Sequence, residues 1–367
     1  MLNPLLRRAS LALTALALGA LSFAPAAAAG GTAGAVYAIT NSPTGNAVVA
    51  WNRQADGSLS YQGTYPTGGI GSGAGLGSQG AVTISADHSI LLAVDAGSNE
   101  LTSFRISNGG LEFADRIASG GSTPISVAVF DNLAYVLNAG TPNNVTGFTI
   151  NDDGDLNALS GSTRPLSADS TGPAQVGFSS DGDTLVVTEK ATSRIDTYVV
   201  GSDGRIGDPF VHTSAGPVPF GFAITKSDTL FVSEAGTGGG ASSYVIGSGG
   251  DLAVGSSNVM TGQRAACWAV VTKNNKFGYV TNAGTGNISG FRLLADGSAS
   301  LLDADGITAT TGGNPTDAAV SVNGRYLYVR VSALAQIAVF AIDADGSLDA
   351  LSALDGTLAG LAGLAAY

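Results

Sequence analysis

Short apolar runs separated by turns rich in Gly, Asn and Asp recur along most of the chain. The stretch Phe277–Ser298 (FGYVTNAGTGNISGFRLLADGS) is typical: an apolar run ends in Asn, a Gly-rich turn follows, and a second apolar run leads to Asp-Gly. Alternating side chains bounded by such turn residues predict short antiparallel strands joined as hairpins. The chain is therefore predicted to be built from β-hairpins.

The hairpin unit repeats seven times. The turn Asp-Gly-x-Leu, or a close variant, recurs at spacings of 45 to 52 residues. Its copies begin at Asp56, Asn108, Asp153, Asp203, Gly249, Asp296 and Asp345. Each unit offers about four short strands, which is the period of a propeller blade, whereas a β-sandwich would not repeat one pattern at near-constant spacing. We predict an all-β fold, a seven-bladed β-propeller of four-stranded antiparallel blades.

The two ends of the chain predict how the ring closes. Six repeats carry an additional strand before the apolar run, such as AQVGFS, but the first repeat lacks it. Leu361–Tyr367 occupies the corresponding place after the last Asp-Gly turn. We expect this segment to supply the innermost strand of the first blade, which removes open sheet edges. A frayed C-terminal tail is the alternative.

Residues 1–29 have the composition of a secretory signal peptide. A basic start (MLNPLLRR) precedes an apolar core and a run of small residues suited to signal peptidase. The apolar core is shorter than the ~20 residues that span a bilayer, and no later segment is a candidate span. We therefore predict a secreted or periplasmic protein whose propeller domain is residues 30–367.

Charge and cysteine content exclude several functions. Removing Arg7 and Arg8 leaves 14 basic residues (16 − 2) against 28 acidic ones, a net charge of about −14. Nucleic acids and anionic membrane surfaces require a basic face, so neither is an expected partner. Cys267 is the single cysteine, which excludes an internal disulfide. We expect a monomer held together by packing and strand pairing.

Polar residues end most of the second strands of the repeats. These positions are Asn41, Asp95, Asn138, Glu189, Glu234, Asn282 and Val331. Blade symmetry predicts that they surround one end of the tunnel, where facing carboxylates would raise a carboxylate pKa unless a cation compensates. Arg264 is the best-placed cation and Arg164 the second. Asn also fits a turn without any ligand, whereas Glu is a poor turn former.

The repeats resemble those of the seven-bladed lactonase propellers. Units such as GPAQVGFSSDGDTLVVTEKATSRIDTYVV carry the resemblance, which covers the predicted mature chain. That family includes bacterial 6-phosphogluconolactonase-like proteins and fungal carboxymuconate cyclases, and related YVTN-type repeats occur in surface-layer proteins with no known chemistry. The resemblance implies a site at one mouth of the tunnel, where Gly-Pro-Arg-His begins an inner strand and an acidic residue ends the next strand.

This chain departs from the family motif. The corresponding residues are Gly172-Pro173-Ala174-Gln175, so Arg and His are replaced, and an earlier family motif with His residues reads Ser78-Gln79-Gly80. The chain has two histidines, and neither is expected near the tunnel mouth. His88 lies in a turn, where it should be exposed, and His212 lies in an outer-strand region. Cys267 is expected to be a buried, inert thiol.

Lactone hydrolysis is the first functional hypothesis. Glu189 or Glu234 would activate water as a general base, and Arg264 would stabilise the oxyanion of the opening ester. The ligand would be a sugar lactone or another carbohydrate-derived small molecule. The expected substrate-binding residues are Asp95, Asn138, Gln175, Asn282 and Asp317.

Two alternatives remain open. Carboxylate and amide oxygens are ligands for Ca²⁺ or Mg²⁺, so the hydrolase could depend on a divalent metal. The protein could also be a non-catalytic binding scaffold outside the cytoplasm. The Gly-rich segment Gly68–Gly80 would then be a recognition loop, a linker or a disordered stretch.

Overall fold

The computed structural model describes residues 32–367, and the predicted signal peptide at residues 1–29 lies outside them. The described strands are, in chain order, β1 (Gly34–Ile39), β2 (Ala47–Arg53), β3 (Leu59–Pro66), β4 (Val82–Ile84), β5 (Ile90–Asp95), β6 (Glu100–Ser107), β7 (Gly110–Ala118), β8 (Pro124–Phe130), β9 (Leu133–Asn138), β10 (Asn144–Ile150), β11 (Leu156–Ala158), β12 (Arg164–Pro165), β13 (Pro173–Phe178), β14 (Thr184–Glu189), β15 (Arg194–Val199) and β16 (Phe210–Thr213). They continue with β17 (Pro219–Ile224), β18 (Thr229–Glu234), β19 (Gly240–Ile246), β20 (Leu252–Met260), β21 (Ala266–Val271), β22 (Phe277–Asn282), β23 (Asn287–Leu293), β24 (Ala299–Leu301), β25 (Ala309–Thr310), β26 (Pro315–Val320), β27 (Tyr326–Val331), β28 (Gln336–Ile342), β29 (Leu348–Ala350), β30 (Leu354–Asp355) and β31 (Ala362–Ala366). Two 3₁₀ turns cover Ser248–Gly250 and Ser332–Leu334.

These strands form seven antiparallel sheets, which are the seven blades. Blade 1 contains β31 and β1–β3, blade 2 contains β4–β7, blade 3 contains β8–β12, and blade 4 contains β13–β16. Blades 5, 6 and 7 contain β17–β20, β21–β25 and β26–β30. In each blade the strand named first is innermost. The predicted seven-bladed, all-β architecture is confirmed.

The innermost strands contact one another in a closed ring. β4, β8, β13, β17, β21 and β26 follow around the tunnel, and β31 lies between β26 and β4. β31 pairs antiparallel with β1, with Val36 opposite Ala366. The C-terminal strand therefore completes the first blade, as predicted, and leaves no unpaired inner edge at the junction of the two chain ends.

The Asp-Gly repeat has a structural role between blades. Tyr135 of blade 3 donates its hydroxyl to the carbonyl oxygen of Gly204 in blade 4, at 2.9 Å. Tyr279 and Tyr328 make the same bond to Gly346 and Gly57 of the blades that follow them. The three glycines have φ between 79° and 97°, a region that other residues rarely adopt. The turn therefore requires glycine at this position, and the carbonyl group of that glycine accepts a hydrogen bond from the preceding blade.

Both faces of each blade are buried against its neighbours. The second strands of all seven blades are buried at every residue, from β1 to β27. Their alternating side chains fill apolar clusters on the two sides of each sheet. Within residues 32–367 no helix is long and apolar enough to cross a membrane.

Candidate functional site

Asp95 ends β5, but its side chain is hydrogen-bonded between blades. Asp95 Oδ1 accepts from Thr67 Oγ1 at 2.6 Å and from Asn46 Nδ2 at 2.9 Å, and Oδ2 accepts from Thr102 Oγ1 at 2.6 Å. Thr67 belongs to the crossover from blade 1 to blade 2. Burial raises the pKa of Asp95 above its ordinary value, and these three hydrogen bonds oppose that rise. All of its acceptor positions face protein groups.

Glu189 makes a similar contact to the next crossover but shares it with a second carboxyl. Its two oxygens accept from the Ser167 amide at 3.0 Å and the Ser167 hydroxyl at 2.6 Å. The same amide donates to Asp196 Oδ2 at 2.9 Å, and Asp196 lies against Glu189. Burial, then the adjacent Glu189, raises the pKa of Asp196 to about 8. The raised pKa favours the protonated form of Asp196 beside Glu189, and Asp196 Oδ1 has no hydrogen-bond partner in the described structure.

Asp196 is absent from the sequence prediction, although the chain contains a signal for it. It lies seven residues after Glu189, on the neighbouring strand β15. Thr102 has the same offset from Asp95, and Ser289 has it from Asn282. In those blades the residue seven positions on is a hydroxyl that hydrogen-bonds the strand-end side chain. Blade 4 has an acid, Asp196, at this position instead of a hydroxyl. Aligning the repeats could have revealed this difference.

Glu234 is the strand-end carboxyl with the fewest partners. Ser214 Oγ donates to its Oε1 at 2.9 Å, while Oε2 has no hydrogen-bond partner in the described structure. The side chain is only 1% exposed. Burial raises the pKa of Glu234 to about 7. This carboxyl is poised to change its charge near neutral pH, but it lies in the protein interior.

Most strand ends hydrogen-bond neighbouring protein groups instead of facing the tunnel. Asn138 donates to the Ser119 carbonyl at 3.1 Å, and Asn282 donates to Asn287 and Ser289 at 2.8 Å. A crossover glycine covers several of them: a Cβ added to Gly69 or Gly216 would lie 2.5 Å from Asp95 or 2.6 Å from Glu234. Asp95, Asn138, Glu189 and Glu234 thus bind the crossover that leads into their own blade. Asn282 instead binds the next strand of its own hairpin. The expected ring of carboxylates facing one another across the tunnel is not formed, which corrects that part of the sequence interpretation.

The tunnel is closed at this end by part of the segment Gly68–Gly80. Gln79 donates from Nε2 to the Ala269 carbonyl at 2.7 Å and accepts from the Ala269 amide at 3.0 Å. Its own amide donates to Ala174 at 3.1 Å, and Trp268 Nε1 donates to the Ser78 carbonyl at 2.9 Å. The segment therefore joins blades 4 and 6 across the tunnel. Residues 77–79 form a packed plug, which corrects the expectation of a linker or a disordered stretch for this part, whereas most of residues 68–76 are exposed.

Gln175 has the same kind of contact as Gln79. Its Nε2 donates to the Phe222 carbonyl at 3.0 Å, and its Oε1 accepts from the Phe222 amide at 2.7 Å. Phe222 lies on the neighbouring inner strand β17. Gly221 leaves room for the plug beside it, since an added Cβ would lie 2.1 Å from Gln79 Oε1. Both glutamines connect inner strands, and both stand where the resemblance to the lactonase repeats implies ionisable side chains.

The cations near the closed mouth are not paired with the predicted acids. Arg264 is exposed and donates to the Gly284 carbonyl at 3.0 Å. Arg164 donates to carbonyl groups of its own turn. Within residues 32–367 neither Glu189 nor Glu234 takes part in a salt bridge. The predicted partnership of Arg264 with these acids is thus not formed.

Lys190 is a mouth residue that the sequence interpretation missed. It immediately follows Glu189, hydrogen-bonds to the Gly77 carbonyl of the plug, and lies 4.8 Å above the Phe220 ring. Burial lowers its pKa below the ordinary value. Lys190 therefore fastens the plug to the rim of blade 4.

Asp317 begins the inner strand of blade 7, as predicted, and is buried there. It is 3% exposed and has φ of 75°, a left-handed conformation that is unfavourable for a residue with a Cβ. Its Oδ1 accepts from the Ala318 amide at 3.0 Å. Burial raises the pKa of Asp317 to about 7, and the charge of Arg330 opposes this rise. Arg330 forms no salt bridge with this acid within residues 32–367, and it donates instead to Thr316 Oγ1 and to the Ala359 carbonyl.

The remaining candidate side chains have structural contacts. His88 is half-buried and stacks on Tyr367 with ring centroids 5.0 Å apart, whereas the sequence interpretation expected it to be exposed. His212 lies on the outer strand β16, with Nε2 3.0 Å from Thr197 Oγ1. Burial raises the pKa of the Cys267 thiol to about 12, which leaves it protonated.

In the part of the chain that the structure describes, the strand-end carboxyls do not gather into a cluster of the kind that holds a divalent metal. Within residues 32–367, no three His, Cys, Asp or Glu side chains cluster so as to hold an ion. The oxygens of Asp95 and Glu189 already accept from serine and threonine groups. Ca²⁺ prefers six to eight oxygen ligands, a number that these separated carboxyls do not provide.

Comparisons with known proteins agree with the architecture. Residues 235–360 match the family model "Lactonase, 7-bladed beta-propeller". A protein from Lactobacillus plantarum superimposes with a TM-score of 0.75 at 17% identity, covering 91% of this chain and 99% of that one. The periplasmic gluconolactonase of Pseudomonas aeruginosa gives 0.69 at 17%, with 90% and 99% covered.

A third solved structure, a putative 6-phosphogluconolactonase from Bacteroides fragilis, gives a TM-score of 0.67 at 16% identity and covers 91% of this chain and 98% of that one. No curated protein matches the chain significantly. Sequence identities this low support a conclusion about the fold but not about the function. The fold is that of a lactonase-like seven-bladed propeller, and the resemblance predicted from the repeats is confirmed.

Proposed function

We propose that the protein is an exported, lactonase-like propeller that binds a small molecule without hydrolysing a lactone at the family's tunnel mouth. One observation carries this proposal. Gln79 and Gln175 occupy the places of the family's ionisable residues, and each uses both ends of its amide to hold another inner strand: Gln175 the neighbouring β17, and Gln79 the strand β21 across the tunnel. A neutral amide held in this way has no proton to exchange near neutral pH.

The chemistry required for ester hydrolysis supports the same conclusion. A general base must reach a water molecule, and an oxyanion must meet preorganised donors. Glu189 and Glu234 are at most 1% exposed, and Arg264 points to a carbonyl group of its own blade. A substrate at this mouth would therefore meet the plug instead of a carboxylate.

Export is part of the proposal. The supporting feature is the three-part composition of residues 1–29, with a basic start, an apolar core and small residues. The periplasmic gluconolactonase of Pseudomonas aeruginosa shares the fold. The acidic composition, with 28 acidic against 16 basic residues, fits a small-molecule ligand better than a nucleic acid.

Lactone hydrolysis at a different place is the second candidate, and Asp317 favours it. Its left-handed backbone and its pKa of about 7 are features that functional sites often combine. Asp317 would take the proton of a water that attacks the ester carbonyl, and Arg330 would stabilise the resulting oxyanion. The ring oxygen would leave with a proton from the acid, which opens the lactone.

A pH-stat assay of the mature protein on a panel of sugar lactones separates the two candidates. The variants are Asp317→Asn and the double variant Glu189→Gln/Glu234→Gln, and Asp349→Asn, an exposed acid of the same blade, is the matched control. Each protein is assayed with Ca²⁺, with Mg²⁺ and with chelator. Binding without hydrolysis predicts only the spontaneous rate throughout.

Turnover would overturn the binding proposal, and the variants would locate it. Loss of turnover in Asp317→Asn alone would place the base in blade 7. Loss in the double variant alone would restore the strand-end carboxylates as catalytic groups. Turnover that disappears with chelator would establish the metal-dependent alternative.

A further inference from the structure

The far end of the tunnel, where the inner strands end, contains open space. A cavity of about 340 Å³ lies against the inner strands of blades 5, 6 and 7. We call it the far cavity; its walls include Gln79, Ala223, Ile224, Val270, Val271 and Val320. A second cavity of about 330 Å³ lies against blades 1 to 4 and also touches Gln79. The plug is therefore the floor of both.

The strand positions that line the far cavity are apolar, apart from Gln79 of the floor. Its rim is polar and basic, and carries Thr272 and Asn275 beside two lysines. Lys226 and Lys273 both line it and stand in the turns that follow β17 and β21. Burial and the nearby charge of Lys226 lower the pKa of Lys273. Within residues 32–367 neither ammonium group takes part in a salt bridge. Two cations thus share one opening without an acidic partner.

The charges of this rim are divided between its two halves. The turns after the inner strands of blades 2, 3 and 4 carry only acidic charge. Their acids are Asp87, Asp131, Asp181 and Asp183. The corresponding turns of blades 5, 6 and 7 carry four cations and one acid. These are Lys226, Asp228, Lys273, Lys276 and Arg325. In a chain of net charge −12, the basic half is a local exception that lies directly over the far cavity.

We propose that the far cavity binds a carboxylate that carries an unbranched apolar chain of medium length. The chain lies along the inner strands and the carboxylate meets Lys226 and Lys273. This inference rests on the proposed binding function and names its site and ligand class. It places the ligand at the opposite end of the tunnel from the closed mouth.

The chemistry of the walls selects this ligand class. A cavity of about 340 Å³ falls in the range of small-molecule sites, which are mostly apolar with a few fixed polar groups. A sugar could pair some hydroxyls with Gln79, Thr272 and Asn275. Its remaining hydroxyls would lie unpaired against Ile224, Val270 and Val320, which costs free energy because buried polar groups need partners. A neutral lipid would leave the two ammonium groups without a counter-ion. A ligand with an anionic head and an apolar tail pairs with the two ammonium groups and also packs against the apolar side chains.

Isothermal titration of the mature protein with sodium decanoate tests the proposal. The test variant is Lys226→Gln/Lys273→Gln, and Lys276→Gln is the matched control, because Lys276 stands in the same turn but does not line the cavity. Ala223→Phe fills the cavity from its wall. Decanol serves as a neutral ligand with the same chain.

We expect decanoate to bind with one site, and the double lysine variant to weaken binding about tenfold, since each exposed charge contact contributes a modest part. Lys276→Gln should bind as the unmodified protein does, Ala223→Phe should not bind, and decanol should bind more weakly. Circular dichroism confirms that each variant is folded.

Three results would overturn the inference: no binding of decanoate, equal binding by the double lysine variant, or equal affinity for decanol. These outcomes are distinct from failure of the proposed function. Lactone turnover at the closed mouth would refute binding without hydrolysis there, and would leave the decanoate titration unchanged.

Discussion

Replacing Glu234 by Gln should stabilise the protein at alkaline pH, although it changes a buried polar residue. Burial raises the pKa of Glu234 to about 7 from an ordinary value of 4.5. The folded state therefore binds a proton that the unfolded chain has released between these pH values. One pKa unit corresponds to about 1.4 kcal/mol, so the ionised side chain lowers the free energy of unfolding by about 3 kcal/mol above pH 7.

The sign of the effect follows from the raised pKa. Below pH 4.5 the carboxyl is protonated in both states, and its full contribution to stability is present. That contribution is lost as the pH rises from 4.5 through 7. Gln has the shape of the protonated acid and does not titrate. Its amide can also donate to Ser242 Oγ, which, like Glu234 Oε2, has no hydrogen-bond partner in the described structure.

Chemical denaturation at pH 4 and pH 8 measures this difference. We expect the free energy of unfolding of Glu234→Gln to exceed that of the unmodified protein by up to about 3 kcal/mol at pH 8, and to equal it at pH 4. Asp251→Asn, which removes an exposed acid of the same blade, controls for net charge. A variant that is no more stable at pH 8, or equally stabilised at both pH values, would refute the reasoning.

Three further predictions concern buried polar groups near the tunnel and the blade 4 crossover. Asp196→Asn should stabilise the protein at pH 8 and not at pH 4, because burial and Glu189 raise the pKa of this acid; denaturation at both pH values checks it, and a pH-independent effect would contradict it. Gln175→Ala should lower the free energy of unfolding by about 2 to 4 kcal/mol, because it removes two hydrogen bonds to buried backbone groups. Urea denaturation measures this change. A difference of less than about 0.5 kcal/mol would be inconsistent with the prediction. Cys267 should react with a thiol reagent such as Ellman's only after unfolding, because its thiol is buried and its pKa is about 12; stoichiometric labelling of the native protein would disprove this.

The repeats were sufficient to predict the architecture because they record local structure. Each Asp-Gly turn needs a left-handed glycine, and each apolar run needs a buried strand, so both leave a periodic trace in the sequence. The missing first strand at the start and the additional strand at the end predicted the closure of blade 1 by β31, which pairs with β1. Local signals repeated seven times outweigh the ambiguity of any single one.

The candidate site was less predictable, for a reason that lies in the propeller itself. Alternation in a strand distinguishes a buried face from an exposed one, but both faces of β14 and β18 are buried between blades. The sequence therefore located Glu189 and Glu234 at strand ends without indicating which way they point. The structure directs them to Ser167 and Ser214 of the crossovers.

The sequence by itself determined the number of blades, the identity of the closing strand and the loss of the family's Arg and His at Ala174 and Gln175. Tertiary structure alone decided that the Gly-rich segment crosses the tunnel, because Gln79 meets Ala269 at a separation of 190 residues. Such a contact depends on the ring bringing blades 2 and 6 to a common axis. A flexible glycine segment carries no periodic signal of where it ends, so only the assembled propeller gives its path.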